Sequence, residues 1–229
     1  MNDMKTTPHR RIILDVHTHH APPQPEGIVA CSPAEGGSAQ VLPPAGEFPV
    51  QFFSVGVHPW DVKGVGLSPA QIAQLRECAA RPDVVAIGET GIDCVRPGCA
   101  PMAGQLNALR AHVEISEELR KPLILHCVRG QEMIIAARRD MRPAMPWIIH
   151  GFRGKPSVAQ MLLDAGCYLS FGVQFNAASL QAAPLDRILA ETDDASCRIQ
   201  DVIAGLQSAR GDVTPDLLAA NGRAIWQFP

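Results

Sequence analysis

Six of the eight histidines in this 229-residue chain follow an apolar, strand-like run. They are His17, His19, His20, His58, His126 and His150. Two carboxylates have the same kind of position, since Glu89 follows DVVAIG and Asp193 ends LDRILAETD. Residues i and i+2 of a strand share a face, so His17 and His19 should point together, with Thr18 and His20 directed away.

Imidazoles and carboxylates in this mixture are typical ligands of zinc, iron, nickel, magnesium and manganese. The set is larger than one tetrahedral ion needs, so the sequence predicts one or two divalent ions, with Glu89 as the bridging carboxylate. No lysine ends a predicted strand, so a carboxylated lysine cannot be the bridging ligand. Taken singly, each residue has a structural alternative: a histidine can simply be hydrogen-bonded, and Asp193 or Asp194 could cap a helix.

The elements that must position these residues alternate along the chain. Eight strand-like runs are present: 11–16, 27–31, 50–57, 83–88, 121–127, 146–150, 166–172 and 185–193. Helix-like segments lie between most of them: 68–80, 104–119, 129–140, 156–165, 198–208 and from about 214 onwards. Such alternation predicts parallel strands with crossover helices, and eight runs favour a closed α/β barrel of the TIM type, whose strand ends form the site-bearing rim.

One stretch interrupts the alternation. Residues 21–49 contain seven prolines and four glycines, which predicts an irregular loop in place of the first crossover helix. The span 21–60 also lacks Lys and Arg, whereas Glu26, Glu35 and Glu47 are acidic. This side of the surface should not attract an anion.

Length and composition favour one domain over residues 1–229, with 46% hydrophobic residues and no apolar run long enough to span a membrane. The polar amino terminus resembles no secretory signal, which predicts a cytoplasmic protein. Seven cysteines without a CxxC pair argue against a disulfide framework. The net charge of -3 argues against bulk electrostatic binding of nucleic acid or lipid, and the sequence implies no membrane or protein partner.

Several segments together resemble the TatD-type metal-dependent hydrolases, also called TatD-like deoxyribonucleases. The matching segments are LDVHTHH, SVGVHPW, VVAIGETGID, the stretch from Gln105 through KPLILHC, WIIHGFRG, GCYLSFG, ILAETD and TPDLLAANGRAIW. The resemblance implies a TIM-type barrel, a mono- or dinuclear metal centre and phosphodiesterase activity on DNA. It also implies the metal ligands His17, His19, Glu89, His126, His150 and Asp193. The chain departs from the family in the proline-rich stretch and in ETDDASCRI, where many members have a proline and an aromatic residue after ETD.

The mechanism expected from this set is hydrolysis by a metal-activated water. Asp193 is predicted both to bind a metal and to accept the proton of that water, and Glu89 to act as the second catalytic carboxylate. His58, Arg129 and Arg153 are candidate substrate contacts, with a structural role for His58 and a solvated surface role for the arginines as alternatives.

Three further residues have less specific roles. Asp15 should share a face with His17 by the alternation of side chains along a strand. Asp15 and Asp93 could each orient a histidine from behind, although either could instead be structural, Asp93 by fixing the turn after Glu89. His112, inside a predicted helix, is expected to be structural.

Two other functions remain open at this stage. The same barrel and activated water would also serve hydrolysis of a small ester, lactone or amide, because a fold does not determine its substrate. A catalytically silent barrel that only binds a partner is the third interpretation, and the complete ligand set argues against it.

Overall fold

The computed structural model describes residues 12–226. His9, the polar amino terminus and Arg11, the first residue of the predicted run 11–16, lie outside these residues. Within them, none of the helices is both long enough and apolar enough to cross a membrane.

Nine parallel strands form one sheet in the described residues. They are β1 (Asp15–Thr18), β2 (Gly27–Ser32), β3 (Gln40–Val41), β4 (Phe52–Val55), β5 (Val84–Asp93), β6 (Leu123–Val128), β7 (Trp147–Ile149), β8 (Tyr168–Phe171) and β9 (Ile188–Ala190). Eight of them follow the order β1-β9-β8-β7-β6-β5-β4-β2, and β2 pairs back with β1 to close the ring. The two-residue β3 pairs only with the end of β2. The chain is therefore a TIM barrel, as the alternation predicts.

Seven α-helices are present in residues 12–226. They are α1 (Pro69–Ala79), α2 (Met102–Leu119), α3 (Gln131–Met141), α4 (Pro156–Asp164), α5 (Ala177–Ala182), α6 (Ile199–Ala209) and α7 (Pro215–Ile225). Six match the predicted segments closely, and the short α5 is an addition to them. Ser68 caps α1 by accepting a hydrogen bond from the amide of Gln71, in a capping box that precedes Pro69.

The predicted absence of a first crossover helix is confirmed. Between β1 and β4 the described chain contains no helix, and an irregular segment of residues 19–26 joins β1 directly to β2. Within 21–49 the predicted run 27–31 forms β2, a fully buried strand of the barrel. The prolines at 22, 23 and 25 precede β2 and those at 33, 43, 44 and 49 follow it, so none of them interrupts the hydrogen bonds of this strand.

Two apolar layers stabilise the barrel. Its interior contains a cluster that includes Val16, Ile28, Ile124, Ile148 and Leu189, all at most 1% exposed. A larger cluster fills the space between the strands and the surrounding helices, and its largest fully buried side chain is Trp147. All seven cysteines are free, as expected.

The expectation that Asp15 shares a face with His17 is wrong. The register between β1 and β2 shifts between Asp15 and Thr18, so three steps along β1 match two along β2. A bulge of this kind breaks the alternation of side chains. The Asp15 carboxylate consequently accepts hydrogen bonds from the amide and hydroxyl of Thr192, at 2.9 and 2.6 Å, instead of orienting a histidine ring.

Candidate metal centre

Glu89 lies in β5, where two glycines allow the strand to approach β6 closely. Gly88 and Gly91 both have positive φ values, of 132° and 140°. A Cβ atom at Gly88 would come within 2.4 Å of the carbonyl oxygen of Ile124, and one at Gly91 within 2.1 Å of that of His126. Only glycine fits at these positions, and the result is that Glu89 projects into the mouth of the barrel beside His126.

Five imidazoles surround the Glu89 carboxylate. One oxygen, Oε1, lies 2.9 Å from His58 Nε2, 2.9 Å from His126 Nδ1 and 2.7 Å from His150 Nε2. The other oxygen, Oε2, lies 3.3 Å from His17 Nε2 and 3.4 Å from His19 Nε2. The carboxylate thus joins two groups of nitrogens, one at each oxygen, as a carboxylate that bridges two ions does.

Asp193 completes the group at Oε2. Its Oδ1 atom lies 3.8 Å from His17 Nε2 and 3.7 Å from His19 Nε2. The backbone fixes this arrangement, because the Asp193 amide donates to the His17 carbonyl at 3.0 Å and the His19 amide donates to the Asp193 carbonyl at 2.9 Å. Asp193 has a φ of 54°, and α6 begins only at Ile199, so Asp193 is not a helix cap.

Two of the imidazoles are oriented by a carboxylate behind them. His126 Nε2 lies 3.2 Å from Asp93 Oδ2, and His150 Nδ1 lies 3.5 Å from Glu191 Oε1. Asp93 Oδ2 accepts a hydrogen bond from His126 Nε2, whereas Glu191 lies within ion-pair distance of His150 Nδ1 without a hydrogen bond between them. A carboxylate behind one ring nitrogen fixes the orientation of the ring, so that the other nitrogen faces the cluster. This is the arrangement by which proteins fix a metal-binding histidine.

His58 is oriented by a backbone amide instead of a carboxylate. Its Nδ1 atom accepts a hydrogen bond from the amide of Trp60 at 3.2 Å, so in the neutral ring the proton lies on Nε2. Nε2 then donates to Glu89 Oε1 at 2.9 Å. His58 is therefore placed to hold Glu89 in position, and it is 7% exposed.

The electrostatics of the cluster favour bound positive charge. Burial acts to raise the pKa of Glu89, but the charge of His150 and hydrogen bonds from the surrounding imidazoles outweigh it and hold the pKa well below its ordinary value. Burial acts to lower the pKa of His150, yet Glu89 and Glu191 raise it well above its ordinary value. Burial and the neighbouring charge of His150 lower the pKa of His17. Glu89 therefore keeps its negative charge although it is only 5% exposed.

The donor set fits a metal ion. Both ring nitrogens of His17 are buried without a hydrogen-bond partner, a state that costs free energy unless another group binds them. One potential ligand atom from each of His17, His19 and Asp193 lies within 4.8 Å of the others, and the same is true of His17, Glu89 and His150. Imidazole nitrogens and carboxylate oxygens at this spacing are able to hold a divalent cation.

The structure brings all six predicted ligands into this one cluster. Of the predicted substrate contacts, Arg153 lies at its edge, with Nη2 4.0 Å from Asp193 Oδ2 and Nη1 donating to Gln174 at 2.7 Å. Arg129 is exposed, and its side chain makes no hydrogen bond or ion pair with any residue in 12–226.

His112 has the structural role expected for it. It is fully buried in α2, where its Nδ1 donates to the Ala108 carbonyl at 2.8 Å and its Nε2 accepts from the Val57 amide at 2.9 Å. It thereby anchors the segment that carries His58. Phe152 packs edge-on against Phe171 in the core.

Sequence reasoning missed Glu191. This residue is completely buried and its Oε1 also accepts a hydrogen bond from the amide of Gly151. Glu191 and Asp193 are two residues apart at the end of an apolar run, the same spacing that identifies His17 and His19 as a pair. The i, i+2 rule applied to acidic residues would have found it.

Comparison with known proteins adds three observations. A family model described as TatD related DNase matches residues 15–199. An uncharacterised metal-dependent hydrolase of Escherichia coli K12, YcfH, is 36% identical over 149 residues, which cover 62% of this chain and 54% of that protein. A protein of Klebsiella pneumoniae named 3'-5' ssDNA/RNA exonuclease TatD is 33% identical over 150 residues, which cover 61% of this chain and 56% of that protein.

Similarity in structure extends further than similarity in sequence. The crystal structure of YjjV, a TatD homologue from Escherichia coli K12, superposes with a TM-score of 0.74 at 19% identity and covers 96% of this chain and 99% of that one. This agreement shows a common fold. The alignments with the two sequence relatives span just over half the length of those proteins.

Proposed function

The chain belongs to the family of TatD-related DNases, and we propose that it is a metal-dependent phosphodiesterase that hydrolyses DNA at the mouth of its barrel. The observation that carries this proposal is the Glu89 carboxylate, whose two oxygens meet two separate groups of histidine nitrogens. A capping or packing role explains one strand-end histidine but not five that converge on a single carboxylate.

The two groups of nitrogens would hold one or two divalent ions. His17, His19 and Asp193 would bind on the Oε2 side of Glu89, and His126 and His150 on the Oε1 side. An ion held there lowers the pKa of a water towards neutrality and polarises a phosphoryl oxygen. Zinc, magnesium, manganese, nickel and iron all suit these ligands.

Asp193 is proposed to accept the proton of the attacking water. Its side chain is 21% exposed, whereas that of Glu89 is only 5% exposed, so Asp193 is the carboxylate of the set that faces the open side of the cluster. Glu89 keeps its charge at the centre and His58 holds it there through the Nε2 hydrogen bond.

Arg153 is proposed to steer the substrate on this same side. Its exposed guanidinium lies at the edge of Asp193, where it meets a phosphate as that phosphate enters the cluster. The protein from Klebsiella pneumoniae is named for activity on single-stranded nucleic acid, and this name supports a polynucleotide as the substrate.

The proposal is tested by hydrolysis of end-labelled single-stranded DNA with magnesium or manganese, with and without a chelator. We expect cleavage that the chelator abolishes. If the metal-loaded protein leaves DNA intact but hydrolyses members of a panel of esters, lactones and amides, the nuclease assignment is wrong and the alternative hydrolase function replaces it.

A further inference from the structure

Arg96 lies over the ring of Trp60 beside the metal centre, at a position that neither the ligand set nor the predicted substrate contacts include. Its guanidinium carbon is 3.7 Å from the centroid of the Trp60 ring, a cation–π distance. The residue is exposed, and its side chain makes no hydrogen bond or ion pair with any residue in 12–226. Its N–H groups are therefore available to a ligand.

Trp60 links this guanidinium to the centre. Its ring packs edge-on against His58, with the centroids 4.4 Å apart, and against His126, with the centroids 5.8 Å apart. Its indole N–H donates to Asp93 Oδ2 at 2.8 Å. Contacts with His58, His126 and Asp93 thus fix the position of the Trp60 ring. The Trp60 ring in turn separates Arg96 from the two imidazoles.

Asp93 also fixes the backbone of Arg96. Its Oδ1 atom accepts hydrogen bonds from the amides of Val95 and Arg96, at 2.8 and 2.9 Å. Burial acts to raise the pKa of Asp93, but hydrogen bonds from Trp60 and from these amides outweigh it and lower the pKa to about 2. One carboxylate therefore orients the metal-binding His126, holds Trp60 and places Arg96.

We propose that Arg96, presented on Trp60, binds the phosphate next to the one being hydrolysed and so makes the site select a polyanionic strand over a substrate with a single phosphodiester. The inference rests on the proposed function, since it assigns a specificity residue to the same site. A guanidinium stacked by one face leaves its N–H edges free, and these bind phosphate in a bidentate manner.

The two arginines at the centre lie beside different groups of ligands. Arg153 is next to Asp193, which belongs to the Oε2 side of Glu89, whereas Trp60 and Arg96 are next to His58 and His126 on the Oε1 side. A strand that binds both arginines crosses the cluster above Glu89. Arg153 is already engaged by Gln174 and Asp193, so within residues 12–226 Arg96 is the free cation of the pair.

The test compares Arg96→Gln with the matched control Arg139→Gln on two substrates. Arg139 is an exposed arginine of α3, paired only with its neighbour Asp140 in the described chain. We expect Arg96→Gln to raise KM for a single-stranded oligonucleotide about tenfold, the effect of removing one charged hydrogen-bond pair. Hydrolysis of bis(p-nitrophenyl) phosphate, which has no second phosphate, should be unchanged, and Arg139→Gln should match the wild type on both substrates.

Binding supplies a readout that does not depend on turnover. Fluorescence anisotropy of labelled single-stranded DNA with the chelator-treated protein gives the slope of log K against log salt. The magnitude of this slope is about 0.7 for each phosphate of a single strand that the protein neutralises. Arg96→Gln neutralises one phosphate fewer and should reduce the slope by that amount. Arg96→Lys keeps the charge and should restore the slope, whereas a merely structural role of Arg96 would not respond to charge in this way.

The possible failures are distinguishable. If the wild type cleaves the oligonucleotide but Arg96→Gln keeps its KM and salt slope, only the Arg96 assignment is overturned. Equal losses of activity on the oligonucleotide and on bis(p-nitrophenyl) phosphate would also overturn it, since they would show damage to the metal centre instead of weaker binding of the second phosphate. If the metal-loaded wild type neither binds nor cleaves nucleic acid, the proposed function fails and the Arg96 assignment fails with it.

Discussion

Asp193 and His17 are joined by their backbones at the seam between β1 and the residues that follow β9, since the Asp193 amide donates to the His17 carbonyl at 3.0 Å. The positions of both side chains are therefore set by strand pairing before any ligand binds. Asp15 strengthens the same seam through its hydrogen bonds to Thr192, the residue before Asp193. A change confined to the Asp193 side chain should consequently leave the barrel closed.

Asp193→Asn should lower the rate of DNA hydrolysis at least about a hundredfold, because the amide cannot accept the proton of the attacking water. The backbone hydrogen bonds of residue 193 remain, so the melting temperature of the chelator-treated protein should change little. Steady-state kinetics with saturating metal measure the effect. Asp194→Asn is the matched control, since Asp194 is the exposed neighbour of Asp193. Turnover of Asp193→Asn close to that of Asp194→Asn would contradict the assignment.

Glu89→Gln should remove most of the stabilisation that a divalent ion gives the folded protein. A ligand at a hundred times its Kd stabilises the native state by about 2.7 kcal/mol, and the neutral amide removes the one negative charge that all five imidazoles share. Thermal melts with and without zinc or manganese measure the shift for each variant. Glu118→Gln, which changes a half-exposed carboxylate paired with Arg76, should keep the wild-type shift. An equal shift in Glu89→Gln would exclude Glu89 as the shared ligand.

Much of the fold and of the ligand set could be predicted from sequence because both depend on local patterns. The alternation of runs predicts the eight barrel strands, and the position of histidines at their ends predicts the rim. The i, i+2 spacing predicts that His17 and His19 point together, and this is confirmed because the Nε2 atoms of both rings lie near Glu89 Oε2. Asp193 is found in the same way, as the last residue of an apolar run.

What the sequence could not show depends on contacts between distant segments. The bulge that turns Asp15 away from His17 arises from pairing with β2, and nothing in the run 11–16 encodes it. The contact of Arg96 with Trp60 joins residues 36 positions apart, and nothing in the sequence around Arg96 indicates it. The tautomer of His58 likewise follows from the backbone turn at Trp60 and not from the residue type.

Glu191→Gln should weaken metal binding about 10- to 100-fold, the usual cost of removing a carboxylate behind a metal-binding histidine. Glutamine is nearly the same size and its carbonyl oxygen can still accept from the Gly151 amide, so the fold should be retained. Competition with a chromophoric chelator measures the affinity. Asp186→Asn, which alters a largely exposed carboxylate, should bind metal as the wild type does. Unchanged metal affinity in Glu191→Gln would show that His150 does not need the Glu191 carboxylate in order to bind metal.

His112 should make the stability of the protein depend on pH between about 6.5 and 4. Burial lowers the pKa of His112 in the folded protein to about 4, from an ordinary value of 6.5. In this interval the unfolded chain binds a proton that the folded chain does not, so stability is fully present above 6.5 and is lost as the pH falls to 4. The loss from this one residue should be roughly 3 to 4 kcal/mol, at about 1.4 kcal/mol for each pKa unit.

The effect is isolated by comparing the wild type with His112→Gln in urea unfolding at pH 7 and pH 4.5, both with chelator. Other titrating groups contribute equally to both proteins, so the wild type should lose more stability on acidification than the variant. Because protonated Nε2 can no longer accept from the Val57 amide, the protection factor of this amide against hydrogen exchange, taken relative to its intrinsic rate, should fall as the pH approaches 4 in the wild type. Identical pH dependence of the two proteins would mean that His112 is not held neutral, and that another group anchors the segment before His58.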